Sequence, residues 1–563
     1  MHHLQVEPYR ILLLICFIQL LTITLPAQLL HPDKTFTHQD TLRGSIGPGR
    51  MKWDVIHYDI TVKPDFNSKT ISGKNTVRFI DSGGYTLQVD LQEPMILDSV
   101  TDEYKRYTFN REGNVYWVQL RDSNARYKIK TGERAMSFYF HGKPREAIRP
   151  PWDGGWIWKR DKNNHPWMSV ACQGLGASVW YPCKDTQADE PDSGAILRMI
   201  VPDSLTGVGN GRLTEKKILP DGNVRYSWQV TNPINNYNIV PYIGRYARFS
   251  EIYKGLKGPL TMDYWVLDYN VEKATRQFTD APRMMKAFEY WFGPYPFYAD
   301  GYKLVESPHL GMEHQSATAY GNGFMNGYRG NDLSGTGWGL KWDFIIIHES
   351  GHEWFGNNIT SKDIADMWIH ESFTNYSETL FTDYYYGKQA GNEYVIGTRK
   401  EIRNDLPITG TYGVNAEGSS DMYPKGGNML HAIRQVINND NKFRKILRGL
   451  NSTFYHATVT AKQVENYISK ASGKDLSGIF NQYLRTTVIP VLQYRTEHNK
   501  VYYKWVNTVP GLLLPLKVSF EGSKKEKWIT PTENWQSISP GKRYDPKSFR
   551  VNENFYITTE HVQ

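Results

Sequence analysis

Two histidines four residues apart, His348 and His352, flank Glu349 and form the chemical centre of this 563-residue chain. On an α-helix, residues i and i+4 share a face. Both imidazoles can therefore address one metal ion, while Glu349 projects beside them and can take a proton from water without ligating. Ile345-Ile346-Ile347 ahead of His348 bury the opposite face, and Gly356-Asn357 ends the helix just past the pair. Glu371 follows His352 after 18 intervening residues, early in a second helix expected over about residues 366–386. Two histidines and one carboxylate leave one tetrahedral position open, as in catalytic rather than structural zinc sites. The expected cofactor is one zinc ion, and the expected chemistry is metal-assisted hydrolysis.

The string His348-Glu349-x-x-His352-Glu353-Trp354-Phe355-Gly356-Asn357, followed by Trp368-Ile369-His370-Glu371-Ser372-Phe373, resembles the zinc aminopeptidase family of gluzincin metallopeptidases. That family holds the alanyl aminopeptidases and leukotriene hydrolases, and its usual form is HExxHxWFGN…WLNEGF. His370 stands where Asn is usual and Ser372 where Gly is usual. The resemblance implies zinc held by His348, His352 and Glu371, with Glu349 as the catalytic base. Leu310-Gly311-Met312-Glu313-His314, with Glu313 35 residues before His348, resembles the family's GxMEN motif. This implies that Glu313 binds the substrate α-amine, with Gly311 and Met312 as further substrate-binding residues; Leu310 and His314 depart from the pattern. Tyr423-Pro424-Lys425-Gly426 resembles YxKG, which implies a Tyr423 hydroxyl donating to the oxyanion. Cys172-Gln173-Gly174 resembles a segment that implies Gln173 as a second amine contact. On composition alone Gln173 reads as a surface residue.

These residues need three supporting regions. Residues 51–252 alternate apolar and polar, as in Tyr58, Ile60 and Val62, in Phe138 and Phe140, and in Tyr226, Trp228 and Val230. That is an antiparallel β-domain with one wet face. Across 253–487 the period becomes helical, with Phe278, Ala281, Met285, Phe288 and Trp291 on one stripe and Leu430, Ile433, Val436 and Ile437 on another. Asp475 reads as an N-cap. The resemblance makes this region a thermolysin-like, mostly helical catalytic domain. Residues 488–563 alternate again (Leu516, Val518, Phe520) and read as a small C-terminal β-module, in a multidomain α+β chain. Longer relatives close the site with a helical C-terminal domain. Only 73 residues follow Pro490 here, so a more open cleft is expected.

Residues 1–27 read as a signal peptide: Arg10, an apolar run from Ile11, and a cleavage point after Ala27. Residues 28–50 read as a linker. The expectation is an exported protein with no membrane span in the mature chain. Outside the cytoplasm Cys172 and Cys183 can pair; two buried thiols are the equal alternative. The net charge of +8 is scattered, without the basic stripe that nucleic-acid binding needs. Substrates are expected to be peptides with a free N-terminus. The alternatives are a zinc endopeptidase, an epoxide hydrolase of the leukotriene type, and a non-catalytic peptide-binding relative. The epoxide hydrolase branch has an Asp and a Tyr where this chain has Asn415 and Gly418.

Overall fold

The computed structural model describes residues 35–121, 131–523, 525–541 and 544–563. The signal-peptide reading of 1–27 lies outside the described residues. Residues 39–563 form one compact unit.

Among the described residues the β-domain holds an eight-stranded sheet. Its order is Arg212–Ile218, Asn223–Val230, Ala195–Pro202, Trp53–Asp65, Thr70–Asp81, Gly132–Gly142, Ile96–Thr101 and Arg106–Tyr107. The alternation predicted from sequence is its cause. Tyr58, Ile60, Val62, Phe138, Phe140, Tyr226, Trp228 and Val230 are all buried, while Tyr139 between two of them is 39% exposed. The sheet departs from the antiparallel expectation at one pair, Trp53–Asp65 with Ala195–Pro202, which run parallel from Tyr58 opposite Ala195. Residues 39–50, read as linker from composition, carry the helical turn Pro48–Met51 and a fully buried Arg50 whose Nη2 lies 2.8 Å from Asp90 Oδ2.

The middle region is helical around a five-stranded sheet: Tyr246–Gly255, Gly258–Leu267, Tyr302–Glu306, Thr318–Tyr320 and Gly311–Met312. The division read at 252/253 falls within Tyr246–Gly255, which pairs along its length with Gly258–Leu267. Helix α1 (Asp280–Phe292) buries Ala281, Met285, Phe288 and Trp291 of the predicted stripe, while Phe278 is buried ahead of it, at the end of the helix Val271–Gln277. Helices α2 (Phe344–Gly351), α3 (Trp368–Tyr386) and α4 (Pro424–Ile437) carry the chemistry. The N-cap position of the helix Ser477–Arg485 falls on Leu476, not on Asp475 as read from the sequence; Asp475 Oδ1 accepts from Ser477 N at 3.0 Å from one residue further out.

After Arg485 the described residues run as strands, with a single helical turn at Pro546–Ser548. Leu516, Val518 and Phe520 are buried as their alternation predicts. Their core is continuous with that of the helices, whereas the β-domain has its own. The loop near residue 554 docks on α4, where His431 Nε2 lies 2.8 Å from Asn554 Oδ1. Met312, Ala317 and Ala319 of the middle sheet pack into the β-domain core, which fixes the strand that precedes Glu313.

Candidate active site

Asp343 caps α2, its Oδ1 accepting from Ile345 N at 3.1 Å and Ile346 N at 3.3 Å. Ile345, Ile346 and Ile347 are 0–2% exposed, and each buried side chain stabilises the helix position by about 1.5–3 kcal/mol. The α-helix stops at Gly351, one residue before His352. A wide turn follows, with Phe355 extended and Gly356 at φ 132°, a conformation open to glycine. The turn serves the metal position, because Phe355 O comes to 3.0 Å from His352 Nδ1. Gly351 admits the close approach of α3: a Cβ there would meet Ser377 Oγ at 2.6 Å.

Glu371 Oε2 lies 3.7 Å from His348 Nε2 and 3.4 Å from His352 Nε2. The other ring nitrogens are engaged. His348 Nδ1 is 2.7 Å from Glu378 Oε1, and His352 Nδ1 is also 3.2 Å from Thr374 Oγ1. Each Nδ1–H is therefore the donor, and each Nε2 lone pair points inward. Glu371 Oε2 is buried without a hydrogen-bond partner. Burial lowers both imidazole pKa values, but Glu371 outweighs it and both end above the usual histidine range. Burial raises the Glu371 carboxyl, yet His352 and His348 hold it well below the usual carboxylate range. A hard-to-soft borderline divalent cation with N and O ligands satisfies all three groups at once, so the residues present fit zinc.

Gly311 is glycine because of what it touches. A Cβ there would lie 2.5 Å from Glu349 Oε1 and 3.0 Å from Ile345 Cγ2. Burial pushes the Glu349 carboxyl up to about 7, although His348 and His352 pull it down. Two residues on, Glu313 is 3% exposed, and its Oε1 accepts from Tyr237 OH at 2.9 Å and Gln173 Nε2 at 2.5 Å. Its backbone carbonyl accepts from Asn357 Nδ2 at 2.8 Å, and Asn357 Oδ1 accepts from Asn238 Nδ2 at 2.8 Å. Ligand atoms of Glu313, Glu349 and His352 lie within 4.8 Å of one another.

The departures from the family strings have structural partners. His314 Nδ1 lies 2.5 Å from Tyr242 OH, which itself donates to Ala317 O at 2.8 Å. His370 Nε2 accepts from Ser361 N at 2.9 Å. Ser372 Oγ donates to Met422 O at 2.7 Å, tying α3 to the residue before Tyr423. Tyr423 precedes Pro424 at the start of α4, with its ring stacked on His348 at 5.9 Å. Burial, then Glu371, raises its pKa well above the usual tyrosine value, so the hydroxyl stays a donor.

Gln173, Gly311, Met312, Glu313, His348, Glu349, His352, Glu371 and Tyr423 all line one cavity of about 730 Å³. Tyr237 and Glu378 were not read from the sequence, and Asn357 was read as a helix end rather than as the donor to Glu313 O. Glu378 could have been, since it lies two turns beyond Glu371 on α3. Tyr237 offered no signal among 37 tyrosines. Cys172 and Cys183 are free, buried thiols, not a disulfide, and burial pushes both up.

Residues 277–483 match the Peptidase family M1 domain. Leukotriene A-4 hydrolase of Xenopus laevis is 25% identical over 452 residues, 74% of this chain and 68% of that protein. Aminopeptidase N of Lactococcus lactis is 25% identical over 34% of this chain and 23% of its own length. Mouse aminopeptidase B is 23% identical over 53% and 45%. The chain thus spans less than half the length of these two aminopeptidases. The crystal structure of an M1 zinc metallopeptidase from Deinococcus radiodurans superposes with a TM-score of 0.66 at 20% identity, covering 80% of this chain and 98% of that one. A mutant of that protein bound to a Tyr-Ser-Ala substrate gives 0.64. These likenesses establish the fold: a β-rich N-terminal region, a helical middle domain and C-terminal strands.

Proposed function

From a chain that carries a peptidase family M1 domain, we propose a zinc-dependent aminopeptidase that removes the first residue of peptides. One zinc ion is held by His348, His352 and Glu371. When bound, it supplies Lewis acidity, polarising a carbonyl and lowering the pKa of a water to ~7. The observation that carries the reading is the closeness of Glu313 to Glu349 and His352, within 4.8 Å. In an amino acid the α-nitrogen and its own carbonyl carbon are ~2.5 Å apart. An ammonium at Glu313 therefore sets the first carbonyl, and no later one, before Glu349 and the histidines.

Each side chain then has a task. Tyr237 and Gln173 both donate to Glu313 Oε1, so neither occupies its second oxygen, which is left for the ammonium. The Gln173 carbonyl accepts a further ammonium hydrogen. Glu349 takes a proton from the attacking water and passes it to the departing amine. Tyr423 donates to the carbonyl oxygen as negative charge develops there.

The test is a panel of aminoacyl naphthylamides beside their N-acetylated forms. Turnover of the free substrates, lost with chelator and restored by zinc, is expected, with no cleavage of the acetylated ones. Cleavage of acetylated peptides at internal bonds would support an endopeptidase instead.

Two smaller effects follow. Tyr237→Phe removes one of two donors to Glu313 and is expected to raise KM about tenfold with kcat changed less, since an uncompensated hydrogen bond to a charged group is worth about 1.5–3 kcal/mol; steady-state kinetics on one dipeptide checks it. Glu378→Gln keeps the shape at His348 Nδ1 but weakens the acceptor. Zinc affinity is expected to fall about 10–100-fold, read by competition with a chromophoric chelator.

Export is part of the same proposal and rests on the 1–27 pattern. Among the described residues no helix is long and apolar enough to cross a membrane. N-terminal sequencing of the protein from its host is expected to begin at Gln28; retention of Met1 would remove the export reading.

A further inference from the structure

The two side chains that donate to Glu313 are both tied to one short stretch of the β-domain, residues 184–185. Gln173 sits in a tight turn that Gly176 N closes on Cys172 O at 2.6 Å. The end of that turn is fixed by Asp185, whose Oδ2 accepts from Ser178 N at 3.1 Å and from Ser178 Oγ at 2.5 Å. Tyr237 follows Asn236, whose Nδ2 donates to Lys184 O at 2.9 Å. A shift of the 184–185 backbone therefore reaches both donors.

Asp185 is held in turn by the segment 39–50. Arg43 Nη1 donates to Asp185 O at 2.6 Å, and Arg43 Nη2 lies 3.4 Å from Asp185 Oδ1. Arg50 Nη1 donates to Arg43 O at 2.9 Å and to Ser45 O at 3.0 Å, which fixes the backbone that carries Arg43. Asp90 Oδ2, the partner of Arg50, accepts from Asp185 N at 2.9 Å. The two arginines thus hold Asp185 directly and through Asp90. The fit is close. Gly176 has φ 100°, and a Cβ there would run into both Arg43 Nη2 and Asp185 Oδ2. A Cβ on Gly44 would run into the backbone of Val414 and Asn415, and Asn415 Nδ2 donates to Gly174 O at 3.0 Å, one residue past Gln173. Arg43, Gln173, Asp185 and Tyr237 meet around one small polar cavity of about 20 Å³. Asp185 is 2% exposed, so water does not replace a lost cation there.

We propose that residues 39–50 are a working part of amine recognition, with Arg43 a positioning residue for Gln173 and Tyr237. The proposal rests on the aminopeptidase reading. Arg43 is not among the residues that line the 730 Å³ cavity. It acts through Asp185, which fixes the 172–178 turn, and through the adjoining Lys184 carbonyl, which fixes Asn236 beside Tyr237. A small displacement of either donor loosens Glu313 and with it the placing of the ammonium. The groups proposed for the chemistry are set by α2, α3 and α4 instead, so the loss falls on binding of the free amine.

The test compares Arg43→Ala and Arg43→Lys with the wild type on alanyl naphthylamide, reading kcat, KM, zinc content and thermal unfolding. It adds calorimetry on zinc-loaded Glu349→Gln protein, with and without each Arg43 change, using L-alaninamide and acetohydroxamate, a metal ligand without an α-amine. Arg43→Ala is expected to raise KM about tenfold or more with kcat within about threefold of wild type. L-Alaninamide is expected to weaken by a similar factor while acetohydroxamate binds as before. Arg43→Lys keeps the charge but loses the two-pronged hold, and is expected between the two. An unchanged KM in Arg43→Ala overturns the proposal. A loss shared by kcat and zinc content, or equal weakening of both ligands, overturns it too, since either marks a general loosening of the fold. Should Arg43→Ala fail to fold, Arg43→Lys decides, and there a KM rise below about threefold overturns the proposal. No turnover of any free-amine substrate by the wild type would sink the aminopeptidase reading instead. The calorimetry still judges Arg43 in that case, because L-alaninamide binding unmoved by both changes overturns its role.

Discussion

Glu349→Gln is expected to keep its zinc and to lose turnover by about 10³-fold or more, near the upper end of what a general base contributes. The amide is nearly the shape of the carboxylate, so the contact with Gly311 and the packing of α2 survive. What goes, among the described residues, is the carboxylate with no other assigned partner near the water: Glu313 takes Tyr237 and Gln173 on one oxygen and is assigned the ammonium on the other, and Glu371 faces both imidazoles. Zinc content by mass spectrometry, beside kcat on an aminoacyl naphthylamide, checks both halves. A variant with more than about a tenth of wild-type kcat would remove Glu349 from the mechanism.

Tyr423→Phe is the second large effect, expected at about 10²–10³ in kcat with little change in KM. Its hydroxyl helps only when charge grows on the carbonyl oxygen, so its loss falls on the transition state rather than on substrate binding. The ring that stacks on His348 remains, which separates this from damage to the metal position. A phenol held protonated by its buried, acidic surroundings keeps its proton for donation. An unchanged kcat, or a loss appearing wholly in KM, would assign the oxyanion role elsewhere.

The candidate cluster of His348, Glu349, His352 and Glu371 was legible because its geometry is local: a four-residue step at the end of one helix and a carboxylate on the next. The amine anchor was legible only by its resemblance. Its holding groups were not, since Tyr237 and Glu313 meet across 76 positions of sequence, and no periodicity encodes such a contact. The alternation of Tyr58, Ile60 and Val62 announced a strand but not its parallel partner, because burial on one face says nothing of a neighbour's direction. The C-terminal strands were likewise visible, while their shared core with the helices was not. Leu512 and Leu514 belong to that core, and Gly478 on the helix Ser477–Arg485 permits the approach of the first, a Cβ there lying 3.1 Å from Leu512 Cα.

Among the described residues Glu313 receives its side-chain hydrogen bonds from the β-domain, from Tyr237 and Gln173, while the strand just before it, Gly311–Met312, belongs to the helical region. On the aminopeptidase reading proposed above, the ability to recognise where a peptide begins is therefore a property of a seam. The groups proposed to cut come from the helical region, and the β-domain contributes only to the hold on Glu313. On that reading, their docking is what makes the centre count from the end of the chain. The gauge is thus set by Tyr237 and Gln173, which lie outside the His348, His352 and Glu371 cluster.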